Sequence, residues 1–243
     1  MPSISVCIAT YNGQQYISDQ LQSISKQLNR DDEIVIVDDH STDRTVDIVR
    51  AVGDPRIKFF EHSETLGYVK TFEDAISRAN NEIIMLSDQD DIWADGRVAT
   101  LAGPLGNSQC AAGNFDTFGA KSNWFQRKNL DQSGSNGNLS NIIKTLIGIQ
   151  PYYGCTMAFR SEFRKVVLPF PDWLTETHDQ WIAICANTCA SISHVDKVVT
   201  HRRLHSTNTT PKKARPLSMI LKSRCMLLRA TAEAWKRSRR FKR

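Results

Sequence analysis

Three groups of polar residues stand directly behind short apolar runs in the first hundred positions: Thr10-Tyr11-Asn12, Asp38-Asp39 and Asp88-Gln89-Asp90-Asp91. Asp88 and Asp90 suit a hard divalent cation, because Mg²⁺ takes one or two protein carboxylates together with waters and phosphate oxygens. A solvated acidic turn shows the same Asp-x-Asp. The polar strand ends beside it favour the metal, since an open parallel sheet binds ligands at the C-terminal ends of its strands. Further along, Asp179 follows His178 at the start of an apolar helical stretch. A carboxylate there either caps the helix or acts as a general base. Arg203 and His205 add a cation and an imidazole, and His201 and Arg202 beside them add electrostatic weight. No glycine-rich fingerprint follows the first apolar run, so phosphates are not held as in dinucleotide folds or P-loop proteins.

These residues need a scaffold, and the pattern supplies one. Residues 4–9, 33–37, 56–61 and 83–86 read as strands, two of them apolar enough to be buried on both faces. Between them lie helical faces: Ile17, Leu21, Ile24 and Leu28; Val46, Val49 and Val52 behind capping Ser41 and Asp43; then Val69, Phe72, Ala75, Ile76 and Ala79. Alternation of this kind predicts a doubly wound α/β sheet. Past residue 106 the rhythm loosens, and residues 119–141, rich in Gly, Ser, Asn and Lys, read as a long loop. Order returns at 156–159, at a helix starting near His178, and at 195–203.

The chain has 243 residues, 40% of them apolar and 23% charged, which suits one sizeable core and excludes collagen-like, mucin-like or wholly disordered chains. No apolar run approaches the roughly 20 residues of a membrane span, and residues 1–3 do not open a signal peptide. A cytoplasmic protein is therefore expected. The six cysteines show no metal-ligand spacing and read as reduced and structural. Residues 211–243 carry 12 Lys/Arg against one acid, Glu233, whereas 1–210 carry 19 basic and 25 acidic residues. Leu217, Ile220, Leu221, Leu227, Leu228, Thr231 and Trp235 fall on one helical face of this tail. The plain alternative is a solvated helix, but the pattern suits an anionic membrane surface. No nucleic-acid motif accompanies it.

Ala9-Thr10-Tyr11-Asn12, Val37-Asp38-Asp39-His40-Ser41-Thr42-Asp43 and Leu86-Ser87-Asp88-Gln89-Asp90-Asp91-Ile92-Trp93 together resemble the signature segments of family 2 glycosyltransferases with the GT-A fold. The last segment is similar to that of bacterial rhamnosyltransferase-like members that build cell-surface polysaccharide. The likeness covers roughly residues 3–210, by the order and spacing of several motifs. It implies a Rossmann-like, mostly parallel sheet flanked by helices. It divides the chain into a nucleotide-sugar-binding half (1–106), an acceptor-binding half (107–210) and the basic tail (211–243).

The resemblance also implies roles. Thr10 and Asp39 would hold the base and ribose, with Tyr11 stacked on the base and Asn12 beside it. Lys70 would be the basic nucleotide contact, and Asp88 would face the ribose or sugar. Asp90 would ligate a Mg²⁺ or Mn²⁺ bridging the diphosphate. His205 would be a further ligand or would orient the leaving diphosphate, and Arg203 would neutralise its charge. Trp93, Gly154, Cys155 and His178 fall on the acceptor side. Asp179 would be the base of an inverting transfer from a nucleoside-diphosphate sugar (dTDP-rhamnose or a UDP-sugar) to a hydroxyl of a glycan or lipid-linked acceptor. His178 stands where the family commonly places an acid.

Three rival readings are weaker. A haloacid-dehalogenase-like phosphatase would use Asp88 as nucleophile, but that loop usually opens a chain and here three strands precede it. A nucleotidyltransferase would show a glycine- and arginine-rich N-terminal loop. A non-catalytic nucleotide-sugar-binding relative would lack the base that Asp179 provides.

Overall fold

The computed structural model describes residues 2–119, 129–205 and 216–241. Its first half keeps the expected rhythm: β1 (Ile4–Thr10), α1 (Ile17–Ser25), β2 (Glu33–Asp38), α2 (Thr45–Ala51), β3 (Ile57–Glu61), α3 (Tyr68–Arg78) and β4 (Ile83–Ser87). There follow β5 (Ile92–Trp93), α4 (Arg97–Ala102), β6 (Cys110–Phe118), α5 (Asn138–Ile147), β7 (Met157–Arg160), α6 (Arg164–Val167), α7 (His178–Thr188), β8 (Ile192–Arg203) and α8 (Leu217–Phe241).

These strands form one eight-stranded sheet in the order β3-β2-β1-β4-β7-β6-β8-β5. β1 to β4 are mutually parallel where they pair, and β6 and β8 run parallel to each other. β7 is antiparallel to both its neighbours, and the two-residue β5 is antiparallel to β8. β1, β2 and β4 are buried on both faces, so consecutive side chains feed two separate cores. Val6 and Ile8 of β1 point to the side covered by α1 and α4, and Cys7 to the side covered by α3, α7 and α8. The expected α/β architecture is present, with a mixed rather than purely parallel sheet.

Four local expectations are corrected. β6 was not anticipated: Ala111, Ala112, Gly113 and Asn114 are too small and polar to read as a strand. They fit there because the strand lies between two neighbours, and a Cβ on Gly113 would stand 2.8 Å from Val199. The stretch 119–141 is not one loop. Residues 120–128 lie outside the described residues, but Leu130 is buried with its backbone held at both ends by the Asn114 amide, and a 3-10 turn (Gln132–Asn136) and the start of α5 follow. On α2 the inward residues are Thr45 and Val49, and Val52 is exposed. Five cysteines are buried thiols as expected, but Cys225 is exposed.

The tail helix α8 is docked on the body, mainly against α7. Its inner face consists of Ser223, Leu227, Ala230, Ala234 and Ser238. Small residues let the two helix backbones approach closely. Arg237 fastens the end, donating to the carbonyls of Val166, Val167 and Pro169 and lying 5.0 Å over the Trp181 ring. Of the expected apolar stripe Leu227 is buried, whereas Leu217, Ile220, Leu221, Leu228 and Trp235 face outward. Among the described residues, no helix is long and apolar enough to cross a membrane.

Candidate active site

The ends of β1 and β2 are knitted together by the polar residues expected to bind nucleotide. Thr10 Oγ1 donates to Asp38 Oδ1 at 2.7 Å, and Asp38 also accepts from the Ser41 amide and hydroxyl. Asn12 takes a left-handed backbone (φ 48°), a conformation Asn tolerates, and its Oδ1 accepts from the amides of Thr42 and Asp43. Tyr11 presents its ring to solvent while Gln89, a residue the sequence reading passed over, grips its backbone N–H (2.9 Å) and C=O (3.0 Å). The phenol is thus the free group of this trio.

Asp39 and Lys70 do not stand free. Asp39 is buried and accepts from the amides of Leu66 and Gly67, each at 2.8 Å, with His62 Nδ1 at 3.1 Å. Burial alone would raise its pKa, but these donors outweigh it and hold the carboxyl below its usual range. Its work here is to fix the loop that enters α3. Lys70, in the first turn of α3, pairs with Glu73 (2.9 Å) and Asp172 (3.3 Å). Asp39 is closed in by its donors, whereas Lys70, 40% exposed and with a third N–H, can still reach a nucleotide.

Beyond β4 the carboxylates converge with the end of β8. His205 Nε2 lies 2.7 Å from Asp90 Oδ2, and the His205 ring stacks on Tyr16 at 4.5 Å. Arg203 donates its backbone N–H to Asp91, its Nε to the Asp90 carbonyl and its Nη2 to Asp19, and covers the Tyr16 and Phe118 rings. Asp91 is 2% exposed and its Oδ2 has no hydrogen-bond partner among the described residues. Burial, then the charges of its neighbours, pushes the Asp91 carboxyl well up, and burial followed by Asp90 does the same to Asp88. Such a concentration of carboxyl, only partly offset by the Arg202 charge, is what a divalent cation relieves.

Two donor sets compete for an ion. Ligand atoms of Asp88, Asp91 and Cys155 lie within 4.8 Å of one another. Burial drives the Cys155 thiol far above its ordinary pKa, however, and a protonated thiol is a poor ligand for a hard cation. Asp90 and His205 offer carboxylate and imidazole, donors that fit Mg²⁺ or Mn²⁺ with phosphate oxygens completing the shell.

The floor of the site is built by two arginines, of which the sequence pointed only to Arg202, and only for its charge. Arg97, wholly buried, donates to the carbonyls of Leu86 (2.8 Å), Cys155 (2.6 Å) and Val199 (3.3 Å), tying β4 and β8 to the turn at Gly154–Thr156. Arg202 is 8% exposed and lies over the Phe115 and Tyr153 rings at 5.0 and 4.9 Å, with Nε and Nη1 making no hydrogen bond among the described residues.

On the opposite side, Asp179 sits in the first turn of α7, where its Oδ1 accepts from the Gln180 amide at 2.7 Å. It keeps some exposed surface but is packed round by protein. That burial raises its pKa to about 6, with the charge of Asp88 adding and that of Arg202 opposing. Gly154 is required beside it: a Cβ there would stand 3.0 Å from His178 Nε2 and 3.7 Å from the Asp179 Cβ.

Three expected acceptor contacts turn out to be support. The His178 ring stacks on Phe72 at 4.4 Å and Phe170 at 6.4 Å, both its nitrogens lack partners, and burial lowers its pKa to about 3. It is a neutral core ring. Trp93 is 3% exposed, donates Nε1 to Ser87 Oγ and carries Arg97 over its face at 4.4 Å. The Cys155 side chain is buried, and its carbonyl receives Arg97 and Thr200.

Residues 5–168 match the sequence profile of glycosyl transferase family 2. The chain belongs to this family. It is 26% identical over 218 residues to an uncharacterized family relative of Nostoc sp., covering 84% of this chain and 66% of that one. It is 31% identical over 99 residues to the UDP-Glc:alpha-D-GlcNAc-diphosphoundecaprenol beta-1,3-glucosyltransferase of Escherichia coli, covering 41% of this chain and 39% of the relative. The chain therefore spans less than two thirds of the length of either. Residues 1–349 of Staphylococcus aureus TarS, crystallised with UDP-GlcNAc, superpose with a TM-score of 0.71 at 20% identity, covering 98% of this chain and 72% of that one. The GT-A fold is shared.

Proposed function

We propose that this family 2 chain is an inverting glycosyltransferase. It moves a sugar from a nucleoside-diphosphate sugar to a hydroxyl of a glycan or lipid-linked acceptor in cell-surface polysaccharide synthesis. The observation that carries the reading is the pairing of Asp90 with His205 at the end of β4, in a site where Asp179 feels the charge of Asp88. A leaving-group end and a proton-accepting end lie within electrostatic reach of each other.

Asp179 takes the proton of the acceptor hydroxyl as that oxygen attacks the anomeric carbon opposite the diphosphate. The bond from the anomeric carbon to the diphosphate oxygen breaks, and the diphosphate departs with the electron pair. A carboxyl with a pKa of about 6 is ionised at neutral pH yet more basic than an ordinary aspartate. Asp90 and His205 would hold Mg²⁺ or Mn²⁺, and such an ion supplies positive charge where the diphosphate gains negative charge. Arg203, braced by Asp19 and Tyr16, adds to that field. The exposed Tyr11 ring stacks on the base. Thr10, Asn12 and Asp39 act by shaping the loops around it, and Asp88 faces the sugar. Residues 1–106 form the donor half and 107–210 the acceptor half, with Arg203 and His205 reaching back to the diphosphate.

The name of the E. coli relative supports a UDP-sugar donor and a lipid-diphosphate-linked acceptor. dTDP-rhamnose rests on the Ser87–Trp93 resemblance alone. The outward basic and apolar face of α8 supports peripheral attachment to the inner surface of the cell membrane. Sugar transfer from UDP-glucose to a lipid-diphosphate acceptor, measured on wild type and Asp179→Asn, tests the reading. The variant should lose transfer and keep nucleotide binding; loss of both would make Asp179 a structural residue.

A further inference from the structure

A groove of about 450 Å³ opens between the segment 173–176 and α8. That volume lies within the roughly 300–1,000 Å³ usual for small-molecule sites. Its walls combine apolar and cationic groups: Trp173, Met226 and Cys225 with Lys222 and Arg229, and Glu176 as the acid. The Arg229 guanidinium lies 4.5 Å over the Trp173 ring. Glu176 accepts from the Ser223 hydroxyl, which pins the segment to the helix.

The groove has two distinct ends. Outward, Leu221 and Leu228 share the helix face of Cys225, one turn to either side, and both are 57% exposed. Inward, the wall includes Glu176. Glu176 precedes Asp179 by three residues, no more than about 11 Å of extended chain. α8 carries seven Lys/Arg against the single acid Glu233, so the apolar lip is set in a strongly positive surface.

We propose that this groove seats the lipid-diphosphate end of the acceptor. The isoprenoid chain runs along Trp173, Met226 and the Leu221–Leu228 lip, the phosphates meet Lys222 and Arg229, and the sugar hydroxyl reaches Asp179. The inference rests on the glycosyltransferase reading of Asp179 and names the acceptor class for that same site. Charge complementarity selects the occupant: an uncharged lipid leaves both cations unused, and a free diphosphate leaves Trp173 and the leucines unused. A bilayer headgroup would meet the outer face of α8 instead, along its whole length.

Cys225 provides a built-in reporter, because it lines the groove and the other five cysteines are buried. The full chain is reacted with N-ethylmaleimide alone and with farnesyl diphosphate, inorganic pyrophosphate, farnesol, or phosphatidylglycerol vesicles. Farnesyl diphosphate should slow labelling at least tenfold. The protection, read against each variant's own unprotected rate, should vanish in Arg229→Gln and Lys222→Glu, whose circular dichroism should match wild type. Equal protection by pyrophosphate or by farnesol would overturn the proposal in favour of an anion site or a nonspecific apolar surface. Vesicles, which meet the outer face of α8, should protect wild type and Arg229→Gln alike, and vesicle protection lost in Arg229→Gln would overturn it in favour of a headgroup site. Absence of protection would overturn it outright. The two readings fail separately. Protection without UDP binding would leave a lipid site and remove the transferase, whereas metal-dependent UDP binding without protection would leave the transferase and remove the groove.

Discussion

A Cβ atom at residue 154 would stand 3.0 Å from Nε2 of His178, so the turn before β7 touches the start of α7 because that position is glycine. The neighbour is a ring clamped by Phe72 and Phe170, which cannot swing aside cheaply. Gly154→Ala should therefore displace the first turn of α7 and Asp179 with it. A misplacement of a few tenths of an ångström to 1 Å in a reacting group costs about 10- to 100-fold in rate. Transfer should fall by that order while nucleotide affinity, set at the far side of the cleft, changes little. Steady-state transfer beside calorimetric affinity checks it, and equal losses in both would point to general disruption.

The raised pKa of Asp179 gives a pH signature. As the base it must be ionised, so kcat/KM should climb through about pH 6 and level off above it. The same shift acts on stability with the opposite sense. A carboxyl whose folded pKa exceeds its unfolded value near 3.8 favours the folded state at low pH, and that contribution is lost as pH rises through about 6. Asp179→Asn should lose less stability over this window than wild type does. Thermal melts at pH 4.5 and 7.5 make the comparison.

Trp93 separates a core role from an acceptor role. Buried against Ser87 and Arg97, it should cost about 3–5 kcal/mol when cut to alanine, the usual range for a buried large aromatic. Urea denaturation reads that loss directly. Trp93→Phe should retain most of the stability and leave the acceptor KM where it was; a raised KM in a fully folded Trp93→Phe would restore the acceptor contact.

The parallel half of the sheet was legible because β-branched runs and three- and four-residue apolar spacing are strong signals. β6 was not, because Ala111, Ala112 and Gly113 are chosen for close packing against Val199 rather than for bulk. The docked face of α8 escaped for a related reason: alanines and serines do not register as an apolar stripe, and of the leucines that do register only Leu227 points inward. Asp90 and His205 are 115 residues apart, so their contact was accessible through the motif and not through periodicity. Arg97 was missed, and Arg202 was read only as added charge, because an arginine reads as surface until the carbonyls and rings that hold it are known.

Calorimetric titration of UDP, dTDP and GDP, with and without Mn²⁺ or Mg²⁺, into wild type, Asp90→Ala and His205→Ala tests the Asp90–His205 site most directly. The expected result is that one diphosphate, UDP first among them, binds with a metal requirement. Removing either side chain should weaken it at least tenfold, about 1.4 kcal/mol. Binding that ignores the metal and both substitutions, or binding of none of the three, would contradict the account.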